Sequence, residues 1–306
     1  MQKTAFIFPG QGSQSLGMLS AFADYPQIKN TFAIASRVLN YDLWDLVQNG
    51  PDVKLNETQY TQPAILTASY ALWKIWNDEQ GIKPSLLAGH SLGEYSALVA
   101  AESLSFEDAV LLVAKRGQFM QEAVPEGVGA MAAVLGLSDD EVKNICEKAS
   151  ENEVLSAVNF NAPGQVVIAG NKAALTRALD LIKQAGKRAL PLPVSVPSHC
   201  LLMKPAAEQL ALALESVTIC SPQIPVVNNV NVTFENDPDA IKLALIQQLY
   251  SPVRWVETIQ LMSQTCKLFI ECGPGKVLTG LNKRINGELM TYPIGAPDLL
   301  NTALGR

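Results

Sequence analysis

Residues 129–196 follow a hydrophobic pattern that few folds can satisfy: strand, helix, strand, strand, helix, strand, within about 70 residues. GAMAAVLGL reads as the first strand. SDDEVKNICEKASE reads as a helix opened by Ser138, with Glu141 three residues on at the spacing of a capping box. VLSAVNF and QVVIAG are two further strands, joined across Asn161-Ala162-Pro163-Gly164, a link rich in turn formers. NKAALTRALDLIKQAG is a second helix ending at Gly186, and RALPLPVSV is a last extended piece. That order is the signature of a split-βαβ, ferredoxin-like unit.

On either side of this block, single short strands alternate with helices. Thr4 to Phe8 is a buried strand closed by Pro9-Gly10, and Ser85 to Ala88 is another. One helix is expected to start near Gln62-Pro63, with the proline pre-set for its first turn, and to stop at Gly81. EYSALVAAE and FEDAVLLVAKRGQFMQEA read as helices, the second with a wide apolar face. Past the block come a helix from Met203 to Glu215, the run IPVVNNV, and helices across Pro238 to Tyr250 and Val253 to Gln264. The strand KLFIE, the turn CGPG and the helix KVLTGLNKRI follow. Such alternation predicts an α/β fold with a parallel sheet covered on both faces. The expected division is a large α/β domain from residues 1–126 and 199–306, interrupted by a small subdomain over 127–198.

Composition narrows the function classes. With 48% hydrophobic and 17% charged residues the chain is too apolar for disorder. A net charge of −6 argues against nucleic acid as partner. The five cysteines form an odd set without a CxxC pair, which excludes the usual zinc-site spacings and argues against a disulfide framework, so a reducing cytoplasm is expected. The apolar run before Pro9 is too short for a signal-peptide core. The longest uncharged stretch, Ser216 to Phe234, holds two prolines and three asparagines and is not expected to span a bilayer.

The chemistry centres on Gly89-His90-Ser91-Leu92-Gly93. A GxSxG string arises by chance in about one chain in ten of this length. Here an apolar strand precedes it and a helix follows, the arrangement of a nucleophile elbow that exposes a serine Oγ at the sheet's edge. The competing reading is a plain N-cap serine in a glycine turn. A serine needs a base, and the chain has two histidines. His90 adjoins Ser91 on a tight turn, where neighbouring side chains diverge. That leaves His199, in Pro197-Ser198-His199-Cys200, where the small subdomain rejoins the large one and a cleft is natural. No acidic residue lies within eight positions of it, so its orienter is a distant carboxylate or a backbone carbonyl. Oxyanion donors are expected from the Leu92 N–H and from the loop Gly10-Gln11-Gly12-Ser13-Gln14. That loop lacks the third glycine of a dinucleotide fingerprint, and Gly273-Pro274-Gly275-Lys276 lacks the features of a Walker loop. Arg116 is either a helix-end surface charge or a buried fork for a carboxylate, and the sequence favours the surface.

Taken together, these residues resemble the malonyl-CoA:acyl carrier protein transacylase family of type II fatty acid synthesis. The likeness runs through FPGQGSQ at Phe8, TQPA at Thr61, GHSLGEYSAL at Gly89, KRGQFMQ at Lys115 and NFNAPGQVVIAG at Asn159. It continues through VSVPSHC at Val194, NNV at Asn228, QLYSPVRW at Gln248 and ECGPGKVLTGL at Glu271. The resemblance implies an α/β-hydrolase-like large domain carrying the ferredoxin-like insertion. It implies that Ser91 takes the malonyl group as an ester and that His199 is base and then acid, oriented by the backbone carbonyl of Gln248. Gln11 and Leu92 would supply the oxyanion N–H groups and Arg116 would hold the malonyl carboxylate, against the surface reading. The implied partners are malonyl-CoA, as a substrate rather than a cofactor, and acyl carrier protein; no further cofactor or metal is implied. An acidic carrier meeting a chain of net charge −6 needs a local basic patch. The dibasic pairs Lys187-Arg188 and Lys283-Arg284 are the candidates, with Lys283 and Arg284 preferred. A serine esterase or thioesterase using the same Ser91 and His199, and a non-catalytic carrier-docking subunit, are the alternatives.

Overall fold

The computed structural model describes residues 3–194 and 196–306; Ser195, within the last extended piece of the expected insertion, lies outside the described residues. Strand β1 (Thr4–Phe8) leads into helices α1 (Pro26–Leu39), α2 (Leu43–Asn49), α3 (Asp52–Leu55) and α4 (Thr58–Asp78). Strand β2 (Leu86–Gly89) and helices α5 (Gly93–Ala100) and α6 (Phe106–Ala123) complete the first segment. Then come β3 (Gly129–Leu135), α7 (Asp139–Ser150), β4 (Leu155–Ala162), β5 (Gln165–Asn171), α8 (Lys172–Gln184) and β6 (Arg188–Pro191). The chain ends with α9 (Lys204–Glu215), β7 (Val226–Val227), α10 (Pro238–Gln248), α11 (Trp255–Ser263), β8 (Leu268–Glu271), α12 (Val277–Ile285), β9 (Met290–Pro293) and α13 (Pro297–Leu304).

Two sheets result. The larger is wholly parallel, in the order β7-β2-β1-β8-β9. All five residues of β1 are buried, because the strand is central and both its faces are covered. Phe6 and Phe8 join the core on one face, where Phe6 meets Trp73 and Trp76 edge-on at 5.2 Å each. Ala5 and Ile7 join a second core on the other face with Trp255 and Phe269. The smaller sheet is antiparallel, in the order β4-β5-β3-β6, and comes entirely from the strand-helix-strand-strand-helix-strand block. Its period-two alternation has a direct use. Ala132, Val134, Val166 and Ile168 pack under α7 and α8, whose N-terminal capping box at Ser138 and Glu141 is formed. Met131, Val167 and Ala169 face the other way, with Cys200. Strand β4 also meets the segment before α11, where Phe160 N–H donates to Val253 O at 3.0 Å and Val253 N–H to Val158 O at 2.8 Å.

Some elements depart from expectation. Helix α4 begins at Thr58 rather than Gln62, so Pro63 sits inside it. The extra turn is capped from a distance: Gln59 N–H donates to the Gln121 side chain of α6 at 2.9 Å, a tertiary partner that no local pattern reveals. The run IPVVNNV gives only the two-residue β7, because its asparagines are used in a turn. No described helix is long and apolar enough to cross a membrane, and all five cysteines are free thiols.

Candidate active site

Strand β2 delivers Ser91 to the C-terminal edge of the parallel sheet, where α5 starts. Ser91 itself adopts φ 51°, in the left-handed region that a non-glycine residue occupies only when its surroundings hold it there. Gly89 and Gly93 serve close approach instead. A Cβ on Gly93 would lie 2.0 Å from Phe8 O, and one on Gly89 would lie 1.8 Å from the carbonyl carbon of Gly93. The glycines let strand, turn and helix collapse onto one another, and the serine takes the strain.

Ser91 Oγ lies 2.8 Å from His199 Nε2. His199 is 4% exposed and tied to the end of α10 twice: its N–H donates to Leu249 O at 2.9 Å, and Nδ1 to Gln248 O at 2.7 Å. Donation from Nδ1 fixes the tautomer and leaves Nε2 as the acceptor for the serine proton. Burial, and then the neighbouring Arg116 cation, push His199 down to about 3, so the imidazole is neutral near pH 7. The orienter is a backbone carbonyl rather than a carboxylate, which accounts for the lack of acids around His199 in the sequence.

Arg116 is not a surface charge. It is 1% exposed, and the surface reading of the sequence fails because α6 packs unusually tightly against α4. A Cβ on the next residue, Gly117, would sit 2.6 Å from Gln59 Cα, so only glycine allows this approach. Across that contact Arg116 Nη1 donates to Gln62 Oε1 at 2.9 Å, while Nη2 donates to Gln248 Oε1 at 3.0 Å and Ser91 Oγ at 3.3 Å. Its Nε is buried without a partner. Among the described residues no carboxylate comes within ion-pair distance of the guanidinium. A buried fork with amide partners and no salt bridge has the donors to take up a carboxylate, with Glu94 the nearby acid that it feels electrostatically.

Ser91, His199 and Arg116 line one cavity of about 170 Å³. The antiparallel sheet supplies an apolar wall through Met131 and Val167, continued by Leu192 and Val194. Gln11 and Leu92 also line it, and among the described residues neither backbone N–H has a hydrogen-bond partner. Those are free donors on the wall of the cavity that Ser91 also lines. His90 diverges from Ser91 as expected and bonds Asn161 of β4 through Nε2 at 2.8 Å, closing the cavity across the two sheets.

A family model described as acyl transferase domain matches residues 5–285. The chain is 56% identical to the malonyl CoA-acyl carrier protein transacylase of Escherichia coli over 99% of each chain. It is 46% identical to the Bacillus subtilis protein of the same name, over 99% of this chain and 97% of that one. The chain belongs to the malonyl CoA-acyl carrier protein transacylase family. Solved structures of such transacylases superpose throughout. An acyl carrier protein S-malonyltransferase from Vibrio cholerae gives a TM-score of 0.96 at 56% identity, covering 98% of this chain and 99% of that one. A malonyl-transacylase in complex with its type II PKS acyl-carrier protein gives 0.97 at 54%, covering 99% of each.

Residues that sequence reasoning left without a role complete this transacylase site. Gln62 and the Gln248 side chain hold Arg116. Glu94 accepts from Asn229 N–H at 2.9 Å and from Gln248 Nε2 at 2.8 Å, and burial pushes it up to about 7. The two dibasic pairs, taken as alternatives, share one surface. Arg284 Nη1 donates to the Gln165 side chain beside the β4–β5 turn. Gln165 and Arg188 flank Leu135 in the sheet register, and Lys187 lies over Gly136. All four cations are exposed.

Proposed function

We infer that the chain moves the malonyl group from malonyl-CoA to the phosphopantetheine thiol of an acyl carrier protein, in two steps through an ester on Ser91. His199 Nε2 takes the Ser91 proton as Oγ attacks the thioester carbonyl. The Gln11 and Leu92 N–H groups receive the oxyanion, the C–S bond breaks, and the imidazolium returns the proton to the coenzyme A sulfur. The carrier thiol then enters, gives its proton to His199 and attacks the ester, and Ser91 leaves with that proton. The observation that carries the malonyl assignment is the Arg116 guanidinium, buried without a salt bridge among the described residues and 3.3 Å from Ser91 Oγ. Burial and then the Arg116 cation hold His199 down; a carboxylate docked at Arg116 offsets the second of these, so the correct substrate makes its own base stronger.

The reaction serves fatty acid synthesis, and the five free thiols suit a reducing cytoplasm. Lys187, Arg188, Lys283 and Arg284, near the β4–β5 turn, are assigned as the patch that meets an acidic carrier, with Lys283 and Arg284 preferred. The deciding experiment isolates the malonyl-enzyme and follows its decay with and without carrier protein. Transfer to the carrier thiol much faster than loss to water is expected. Decay to free malonate at the same rate in both samples would make the protein a hydrolase.

A further inference from the structure

The asparagines of the NNV run have no part in the steps above, yet both are buried, Asn229 completely. Asn228 shapes the local turn: its Oδ1 accepts from Asn231 N–H at 2.7 Å, and its Nδ2 donates to Thr233 O at 3.0 Å. That turn presents Asn229 to the elbow, 138 residues away in sequence from Ser91. Asn229 Oδ1 accepts from Ser91 N–H at 2.6 Å, and Asn229 Nδ2 donates to Gly89 O at 2.6 Å. One side-chain amide therefore spans the turn from strand end to nucleophile. Its own N–H donates to Glu94 Oε2, the oxygen that also accepts from Gln248 Nε2, which in turn donates to Ser91 O at 3.1 Å.

We propose that Asn229 is a positioning residue that clasps the elbow and holds Ser91 in its left-handed conformation, with Glu94 anchoring both the clasp and Gln248. The inference rests on Ser91 being the nucleophile. The physical need is specific. Ser91 at φ 51° is strained, and its N–H and the Gly89 carbonyl lie where water does not reach them fully, so leaving either unpaired is costly. Only a side chain with one acceptor and one donor at this reach satisfies both. Leucine satisfies neither, and an ionised aspartate accepts from Ser91 N–H but repels Gly89 O. Without the clasp Ser91 relaxes toward negative φ, and its Oγ leaves His199 Nε2 and the Leu92 N–H. A misplacement of about 1 Å is enough for a rate loss of about 100-fold.

The test reads serine reactivity directly, with diisopropyl fluorophosphate followed by intact mass at pH 5 to 8. Ser91 Oγ bonds to phosphorus, fluoride leaves, and His199 takes the proton. Asn229→Leu is expected to lose about 100-fold in labelling rate. Asn229→Asp is the sharper variant, because a protonated acid restores both bonds: its carbonyl accepts from Ser91 N–H and its hydroxyl donates to Gly89 O. The titratable and charged groups around it are Glu94 on α5, Arg116 on α6, His90 and His199, with Arg254 adjoining through its backbone. They are shared with the wild type, so the rate is read as the variant-to-wild-type ratio at each pH. Near parity at pH 5, falling steadily toward pH 8, supports the clasp. A ratio that stays flat across the range overturns it, whatever its height. Failure of the wild type to label at Ser91 overturns the clasp and the function together, whereas wild-type labelling without a malonyl ester overturns only the malonyl assignment.

Discussion

Replacing Arg116 by alanine separates substrate recognition from the chemistry of the serine. The guanidinium is 1% exposed, forms no salt bridge and, among the described residues, is the one Lys or Arg side chain lining the cavity, so a bound malonyl carboxylate would have no other such cation to replace its lost water. Leaving a buried charge unpaired costs about 2–5 kcal/mol, which is roughly 30-fold to 5,000-fold in kcat/KM for malonyl-CoA. The substitution has a second effect, since Gln62 Oε1 and Gln248 Oε1 lose their donor, at about 1–3 kcal/mol of stability each. Gln248 also carries the carbonyl that orients His199, so some loss is common to every acyl group. Acetyl-CoA is the internal reference, because it uses Ser91 and His199 but brings no carboxylate. Both transfers are measured on protein shown to be folded by its urea midpoint. The malonyl-to-acetyl ratio should fall at least about 30-fold, and acetyl transfer should fall little or rise. An equal loss for the two acyl groups would refute the carboxylate role and leave Arg116 as a structural residue.

Four further outcomes are expected. His199 is held at about 3 by burial and by Arg116, so kcat/KM for acylation should stay level as pH falls through 6.5; an acid limb centred near 6.5 would contradict the neutral, buried base. The same depression means that the unfolded chain takes up the proton first, so stability is lost as pH falls from about 6.5 toward 3, visible in urea midpoints. Gly93→Ala, whose Cβ would lie 2.0 Å from Phe8 O, should cost about 1–3 kcal/mol or more, while Gly280→Ala, with open space around it in α12, should gain up to about 1 kcal/mol; equal midpoints for the pair would defeat the close-approach argument. Charge reversal at Lys283 and Arg284 should raise KM for the carrier protein and flatten its salt dependence while coenzyme A kinetics hold, and equal effects on both substrates would move the docking face elsewhere.

What the sequence made legible was local. The apolar strand, GHSLG and the following helix lie within a few residues, so the elbow could be read directly, and His199 followed because the chain has only one other histidine. The strand-helix order of the small sheet was readable for the same reason. The burial of Arg116 was not, because it depends on α6 meeting α4 across Gly117. The one available signal was a glycine inside an otherwise strong helical pattern. Asn229 reaches across 138 residues to Ser91, and no periodicity encodes such a bond. Strand β9 escaped notice as a four-residue edge strand ending in Pro293, which an edge tolerates and which resembles a loop.

The central claim is that malonyl travels on Ser91. The most direct measurement mixes the protein with malonyl-CoA, quenches it in acid within the first turnover, and takes intact mass and a peptide map. The wild type should gain one malonyl group, located on the peptide carrying Ser91, and Ser91→Ala should gain none. Malonyl found on another residue, or carrier protein malonylated at the wild-type rate by Ser91→Ala, would contradict the account.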